Sequence, residues 1–157
     1  MREARVFGKA YALFEKVLNP LQDVFLLVFR LTWGWQFFHG GWNKLANIDG
    51  IISYFSDLGI PAPGFNAYFV STLETVGGLL LLLGLLSRFI ALLLTVNMSV
   101  AYLTAEPQKV LHIFSDPDKF LQADPFFFLL TSVIVLAFGP GRIALDTLVR
   151  RWLAKRE

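Results

Sequence analysis

Arg30, His39, Lys44, Glu74, Asn97 and Asp124 are the side chains best placed to do chemistry, because each lies within or at the rim of a strongly apolar stretch. An ionisable group in such a setting marks a site by default, since a charge at the centre of a membrane-spanning helix costs about 2.5–3.5 kcal/mol. Residues 24–44, VFLLVFRLTWGWQFFHGGWNK, hold three of the six: Arg30 in the middle, His39 and Lys44 at the far end. Arg30 needs a partner, and Glu74 in the apolar run 66–86 is the expected one. Both lie about eight residues from the outer ends of their runs, roughly 12 Å down at 1.5 Å per residue, and Asn97 and Thr131-Ser132 fall at nearly the same depth. The expectation is an Arg30–Glu74 ion pair, with Asn97 and a hydroxyl completing its hydrogen bonds. Such a pair either serves a reaction or only staples helices. His39 and Lys44 then stand at the outer mouth, as part of a site or as a hydrated cap and a snorkelling lysine. Asp124, just before Pro125, either joins them or caps the helix that follows. His39 and His112 lack HxxxH or HxxE spacing, so no metal is expected.

The elements that must hold these residues are apolar blocks. Of 157 residues 55% are hydrophobic and 17% charged, against roughly 45–50% and 25% in soluble domains. The excess sits in four runs, near 21–38 (its helix extending toward Lys44), 66–86, 89–103 and 125–138, the last short against the ~20 residues of a usual span. Asn19-Pro20 is expected to break the chain ahead of the first run. Gly59, Pro61, Pro63 and Gly64 impose a loop after a short amphipathic piece around Ile51–Leu58. Ser87-Arg88 is a minimal turn that sets the second and third runs antiparallel. Asp116-Pro117 suits a helix start, and Gly139-Pro140-Gly141 a stop. Two stripes follow helical spacing: Arg30, Gly34, Phe37, Gly41, Lys44, and Glu74, Gly77, Leu81, Gly84, Arg88. Their glycines allow close helix approach.

The fold expected is all-α, a membrane four-helix bundle with amphipathic interfacial helices at both termini. Residues 1–20 form a cytoplasmic interfacial helix, 21–141 the four-span domain, and 142–157 a basic amphipathic tail with Leu145, Leu148, Val149 and Trp152 on one face. The basic start lacks a small-residue cleavage site and reads as a retained anchor. Arg2, Arg5, Lys9, Lys16, Arg88, Arg142, Arg150, Arg151, Lys155 and Arg156 mark one side, and only Lys44, Lys109 and Lys119 the other. Both termini are therefore expected in the cytoplasm of a bacterial-type inner membrane. The bilayer is the expected partner, with homo-oligomerisation open and nucleic acid excluded, since the basic termini read as topology determinants. Without cysteine the chain carries no disulfide, thiolate metal site or thiol relay.

Four segments together resemble the DoxX family of small four-helix membrane proteins. They are Arg30, Gly34, His39, Gly40, Lys44 and Leu45 in the first run; F-x-x-L-G-I-P-x-P at 55–63; E-T-V-G-G-L-L-L-L-L-G-L-x-x-R at 74–88; and G-P-G-R-x-x-L-D at 139–146. The resemblance implies likeness to the membrane subunit of a thiosulfate:quinone oxidoreductase and to proteins tied to sulfur transfer and superoxide handling. More distant relatives act as assembly or cargo factors. Under the redox reading, quinone is the cofactor and a redox subunit the partner. Glu74, His39 and Asp124 then carry protons, and Arg30 or Lys44 binds a carbonyl oxygen or an anionic sulfur substrate. The alternative is a non-enzymatic membrane scaffold or assembly factor.

Overall fold

The computed structural model describes residues 2–156, with side chains at residue 18 and from 20 to 156. Among these residues the chain is all-α: α1 (Arg2–Ala46), α2 (Ile48–Asp57), α3 (Pro63–Leu83), α4 (Ser87–Ala105), α5 (Pro107–Leu111), α6 (Pro117–Leu121), α7 (Pro125–Phe138) and α8 (Leu145–Leu153). Four helices close a ring: α1 packs on α3, α3 on α4, α4 on α7, and α7 back on α1. Phe37, Leu81, Ile90, Ala91, Leu94, Met98 and Val135 fill its centre. One end holds the α3–α4 turn and α8; the opposite, loop end holds α2, α5 and α6.

α3 and α4, with 21 and 19 residues, are long and apolar enough to cross a membrane. At 1.5 Å per residue they reach about 31 and 28 Å, close to the ~30 Å hydrocarbon core. α7 has 14 residues, or about 21 Å. Outward from the ring stand Leu79, Leu83, Phe89, Leu92, Val96, Leu103 and Val133, all exposed, a girdle suited to lipid and unsuited to water.

The α1–α3 contact is the tightest seam, and glycine makes it possible. A Cβ on Gly41 would lie 2.5 Å from the Thr75 amide nitrogen and 2.8 Å from the Ser71 carbonyl oxygen, and one on Gly78 would collide with the Phe38 backbone nitrogen. Both expected stripes face inward except at their ends, Lys44 half-buried and Arg88 exposed: Arg30, Gly34, Phe37, Gly41, Glu74, Gly77, Leu81 and Gly84 are buried. Gly77 serves a different neighbour from Gly78, meeting Ile90 and Leu94 of α4.

The expected break at Pro20 does not occur; α1 runs through it. A proline inside a helix forfeits one backbone hydrogen bond and crowds the preceding turn, a local loss that the helical residues on both sides outlast. The amphipathic face read at positions 6–17 lies outside the described side chains. Asp124 precedes α7, yet makes no side-chain cap bond; its own backbone is already helical (φ −52, ψ −41). Asp116 does precede a helix at Pro117, also without a side-chain cap bond, and pairs with Lys119 at 2.9 Å instead.

Candidate functional site

The antiparallel seam sets which residues share a level. Gly41 lies against Ser71 and Thr75, Phe38 against Gly78, and Gly34 against Leu82. Extending that register puts Arg30 level with Gly84, about ten residues or ~15 Å along the axis from Glu74. The expected Arg30–Glu74 pair is therefore not formed. The sequence estimate measured depth from assumed run ends, whereas the glycine contacts set α1 further toward the turn end.

Glu74 instead meets Lys44. Lys44 Nζ lies 2.6 Å from Glu74 Oε2, with the lysine side chain 36% and the glutamate 5% exposed. Asn97 Nδ2 donates to Glu74 Oε1 at 3.2 Å. The carboxylate thus has a partner on each oxygen, from α1 on one side and α4 on the other. The hydroxyls expected beside it are elsewhere: Ser132 Oγ donates to its own helix at the Phe128 carbonyl, and Thr131 Oγ1 is buried without a partner.

This triad lines a cavity of about 430 Å³ at the loop end. Gln36 and Gly40 of α1, Ile51, Tyr54 and Phe55 of α2, Val70 of α3, Met98 and Ala101 of α4, and Phe128 of α7 form most of its wall, with Asn66, Glu106 and Asp124 also lining it. The amphipathic α2 closes one side and has no buried residue of its own. A cavity with apolar walls and a few convergent polar groups is the usual form of a small-molecule site. Lys44 has three N–H donors, one of them engaged by Glu74, and Asn97 retains its amide oxygen as an acceptor.

Of the six residues singled out by sequence, Lys44, Glu74, Asn97 and Asp124 line this cavity and Arg30 and His39 do not. His39 is exposed, stacks on Trp35 and has its Nδ1 3.3 Å from Asn43 Nδ2. The reason is helical: Gln36, Gly40 and Lys44 repeat at four-residue steps on the cavity face, and His39 is rotated about 100° from Gly40.

Arg30, 1% exposed, closes the turn end. Its Nε donates to the Leu81 carbonyl at 3.1 Å, Nη1 to the Pro140 carbonyl and Nη2 to the Ile143 carbonyl at 3.2 Å. These carbonyls lie at the end of α3, where Leu81 also accepts the Gly84 amide at 3.1 Å, and in the loop after α7, and a guanidinium can gather them in one plane. Gly84 (φ +68) is required beside it, since a Cβ there would lie 2.9 Å from the guanidinium carbon and 2.7 Å from Ala144 Cβ.

Asp146 completes the clasp. Its carboxylate accepts from the Leu86 and Ser87 amides, both at 2.8 Å, and its own amide donates to the Gly84 carbonyl at 2.9 Å. Burial pushes the Asp146 carboxyl up, but the Ser87 and Leu86 hydrogen bonds and the Arg150 charge outweigh it and hold the group below its ordinary value. Leu86, in the left-handed region at φ 50, is held there by this contact. Sequence reasoning noted Asp146 only as a motif letter, and missed Gln36, Tyr54, Phe55 and Glu106 on the cavity wall. The four-residue step from Gln36 through Gly40 to Lys44 was a readable signal for the first of these.

A family model described as DoxX matches residues 25–107. The protein named "Putative oxidoreductase CatD" of Bacillus subtilis is 29% identical over 132 residues, 84% of this chain and 92% of CatD. An uncharacterized protein of Haemophilus influenzae is 31% identical over 134 residues, 82% of this chain and 85% of that one. The inner membrane protein YqjF of Escherichia coli is 37% identical over 75 residues, 48% of this chain and 56% of YqjF. No solved structure matches.

Proposed function

The chain belongs to the DoxX family of membrane proteins, and from that premise we propose that it is a membrane component of a quinone-linked redox system, with the Lys44–Glu74–Asn97 cavity as the quinone site. The single observation that carries this reading is the cavity's composition. A quinone ring needs apolar walls and a donor at its carbonyl oxygen; Phe55, Phe128, Met98 and Val70 offer the first and Lys44 the second. The name of CatD points the same way. A bound quinone supplies two-electron, two-proton redox chemistry.

The chain's own residues bind, orient and handle protons. Phe55 and Phe128 hold a flat ring. Lys44 Nζ, tethered by Glu74, directs an N–H at an oxygen acceptor and favours negative charge developing there. Glu74, gripped by Asn97, fixes Lys44 in place, and Lys44 is the group that can pass a proton to a reduced ring oxygen and take one back from water. Lys44, a third exposed, connects the pair to water at the loop end. Electrons come from a donor molecule or a partner subunit, since the chain has no cysteine. His39, outside the cavity, takes no part.

The membrane arrangement proposed with it has α1, α3, α4 and α7 crossing the bilayer. The turn end, with Arg88, Arg142, Arg150 and Arg151, faces the cytoplasm together with both termini. The quinone site then opens on the far side.

The test is extraction of the purified chain in mild detergent and chromatography of bound quinone, for the natural sequence and for Ala101→Phe, which places a ring inside the cavity. Quinone is expected with the first at close to one per chain and absent from the second, with the thermal midpoint unchanged. A natural chain that carries no quinone and takes none up from detergent-solubilised ubiquinone or menaquinone overturns the reading in favour of a scaffold.

A further inference from the structure

The turn end holds a second, polar cavity of about 300 Å³, lined by Gln22, Asp23 and Leu26 of α1, Arg88 of α4, the 138–142 loop, and Asp146, Thr147 and Arg150 of α8. Three guanidinium groups converge on it, and the two carboxylates are already committed. Asp146 accepts two backbone amides. Asp23 Oδ1 accepts the Arg142 amide at 2.9 Å, with Arg142 Nε 3.5 Å from Oδ2. The arginines keep most of their donors. Arg88 gives one to the Ala137 carbonyl at 3.2 Å, Arg142 is 68% exposed at its side chain, and Arg150 is exposed. Gly139, at φ +79, turns the floor of the cavity beside Arg88.

α8 borders this cavity and supplies the second half of a site. Leu145, Leu148, Val149 and Trp152 form one exposed apolar arc. At 100° per residue Asp146, Thr147 and Arg150 fall on the face of α8 opposite that arc, and Arg151 to one side of it. A helix so built lies at the level where acyl chain meets headgroup. A phosphate can come free in solution or on a lipid; the apolar arc, which seats α8 and the cavity on its other face at headgroup level, favours the lipid.

We propose that the Arg88–Arg142–Arg150 cavity binds the phosphate of an anionic phospholipid headgroup from the leaflet in which the apolar arc of α8 is seated. Arginine gives a phosphate planar, paired donors, and basic pockets at the cytoplasmic face of a helix bundle are the places where such headgroups dock. This inference is independent of the quinone site at the other end.

The experiment is native mass spectrometry of the full chain in phosphate-free mild detergent, with phosphatidylglycerol, phosphatidylcholine or inorganic phosphate added in separate arms. One phosphatidylglycerol per chain is expected to survive collisional activation that strips phosphatidylcholine. Arg142→Gln with Arg150→Gln should cut that retention at least tenfold. Arg151→Gln, which removes a charge from α8 outside the cavity, should leave it within twofold. Far-ultraviolet circular dichroism serves to show that each variant keeps its helices. Equal loss in Arg151→Gln, equal retention of both lipids, or displacement of the lipid by millimolar inorganic phosphate each overturns the lipid site.

Discussion

Replacing Lys44 by methionine should harm the protein more than replacing Glu74 by glutamine, although both break the same ion pair. The gross attraction at 2.6 Å is about 6 kcal/mol at an effective dielectric of ~20, most of it offset by desolvation. What remains depends on which partner is stranded. With Lys44→Met, a carboxylate 5% exposed is left with the single Asn97 hydrogen bond at 3.2 Å. Stranding a buried charge costs about 3–5 kcal/mol, and the partial exposure of Lys44 favours the lower figure, ~3 kcal/mol. With Glu74→Gln, the amide oxygen still accepts from Asn97, and the ammonium swings to water at the cavity mouth, for a loss of about 1 kcal/mol. The difference of roughly 2 kcal/mol is a factor of up to ~30 in the unfolding equilibrium. The double variant should recover to within about 1 kcal/mol of the natural chain, giving a coupling near 3 kcal/mol in a double-mutant cycle. Reversible unfolding in mixed micelles, followed by far-ultraviolet circular dichroism, measures all four proteins. If Glu74→Gln costs as much as Lys44→Met, or the two losses simply add, Glu74 does not depend on Lys44 and the geometry of the site is misread.

Three further perturbations probe the rest of the frame. Arg30→Lys should lose about 2–4 kcal/mol, because one ammonium cannot reach the carbonyls of Leu81, Pro140 and Ile143 together and each charge-assisted bond is worth about 1.5–3 kcal/mol; a lysine variant that unfolds like the natural chain would dismiss the clasp. Gly78→Ala should cost about 1–3 kcal/mol by overpacking, since the added methyl meets the Phe38 backbone nitrogen, whereas Gly40→Ala, inside α1 with open space at its Cβ, should gain about 0.5–1 kcal/mol; thermal midpoints of the pair check this contrast. Asp146→Asn should lose about 1 kcal/mol at neutral pH by weakening the cap on α4. Because the folded state holds the Asp146 carboxyl below its ordinary value, its stabilisation is present above the unfolded value near ~3.9 and disappears as pH falls through the folded one. The variant's stability should therefore fall less steeply than the natural chain's below about pH 4, and parallel acid titrations of unfolding would refute the cap.

Much of this protein is written in local patterns. The apolar runs and the glycine stripes each state a property of one stretch of chain, and a helix shows its inward face whatever lies opposite; the turn expected at Ser87-Arg88 falls instead at Gly84–Leu86, with Ser87 and Arg88 in the first turn of α4. That is why Arg30, Gly34, Phe37 and Gly41 could be assigned to a buried seam, and why the four familiar segments led to the DoxX family. The helix at Pro20 is the counterexample: a breaker residue lowers helix stability locally, and α1 nevertheless runs from Arg2 to Ala46. The pairing of charges was not legible. Arg30 and Glu74 looked level because depth was counted from the apparent ends of two runs, and those ends are soft by several residues. Only the packed seam decides the register, through hard contacts of Gly34, Gly41 and Gly78 with the facing backbone, where a slide of one residue moves every side chain by 1.5 Å and about 100°. That register delivered Lys44 to Glu74, turned His39 away, and gave Arg30 to the carbonyls at the opposite end. Composition and periodicity determined which residues are buried; the fit of helix against helix determined which of them meet.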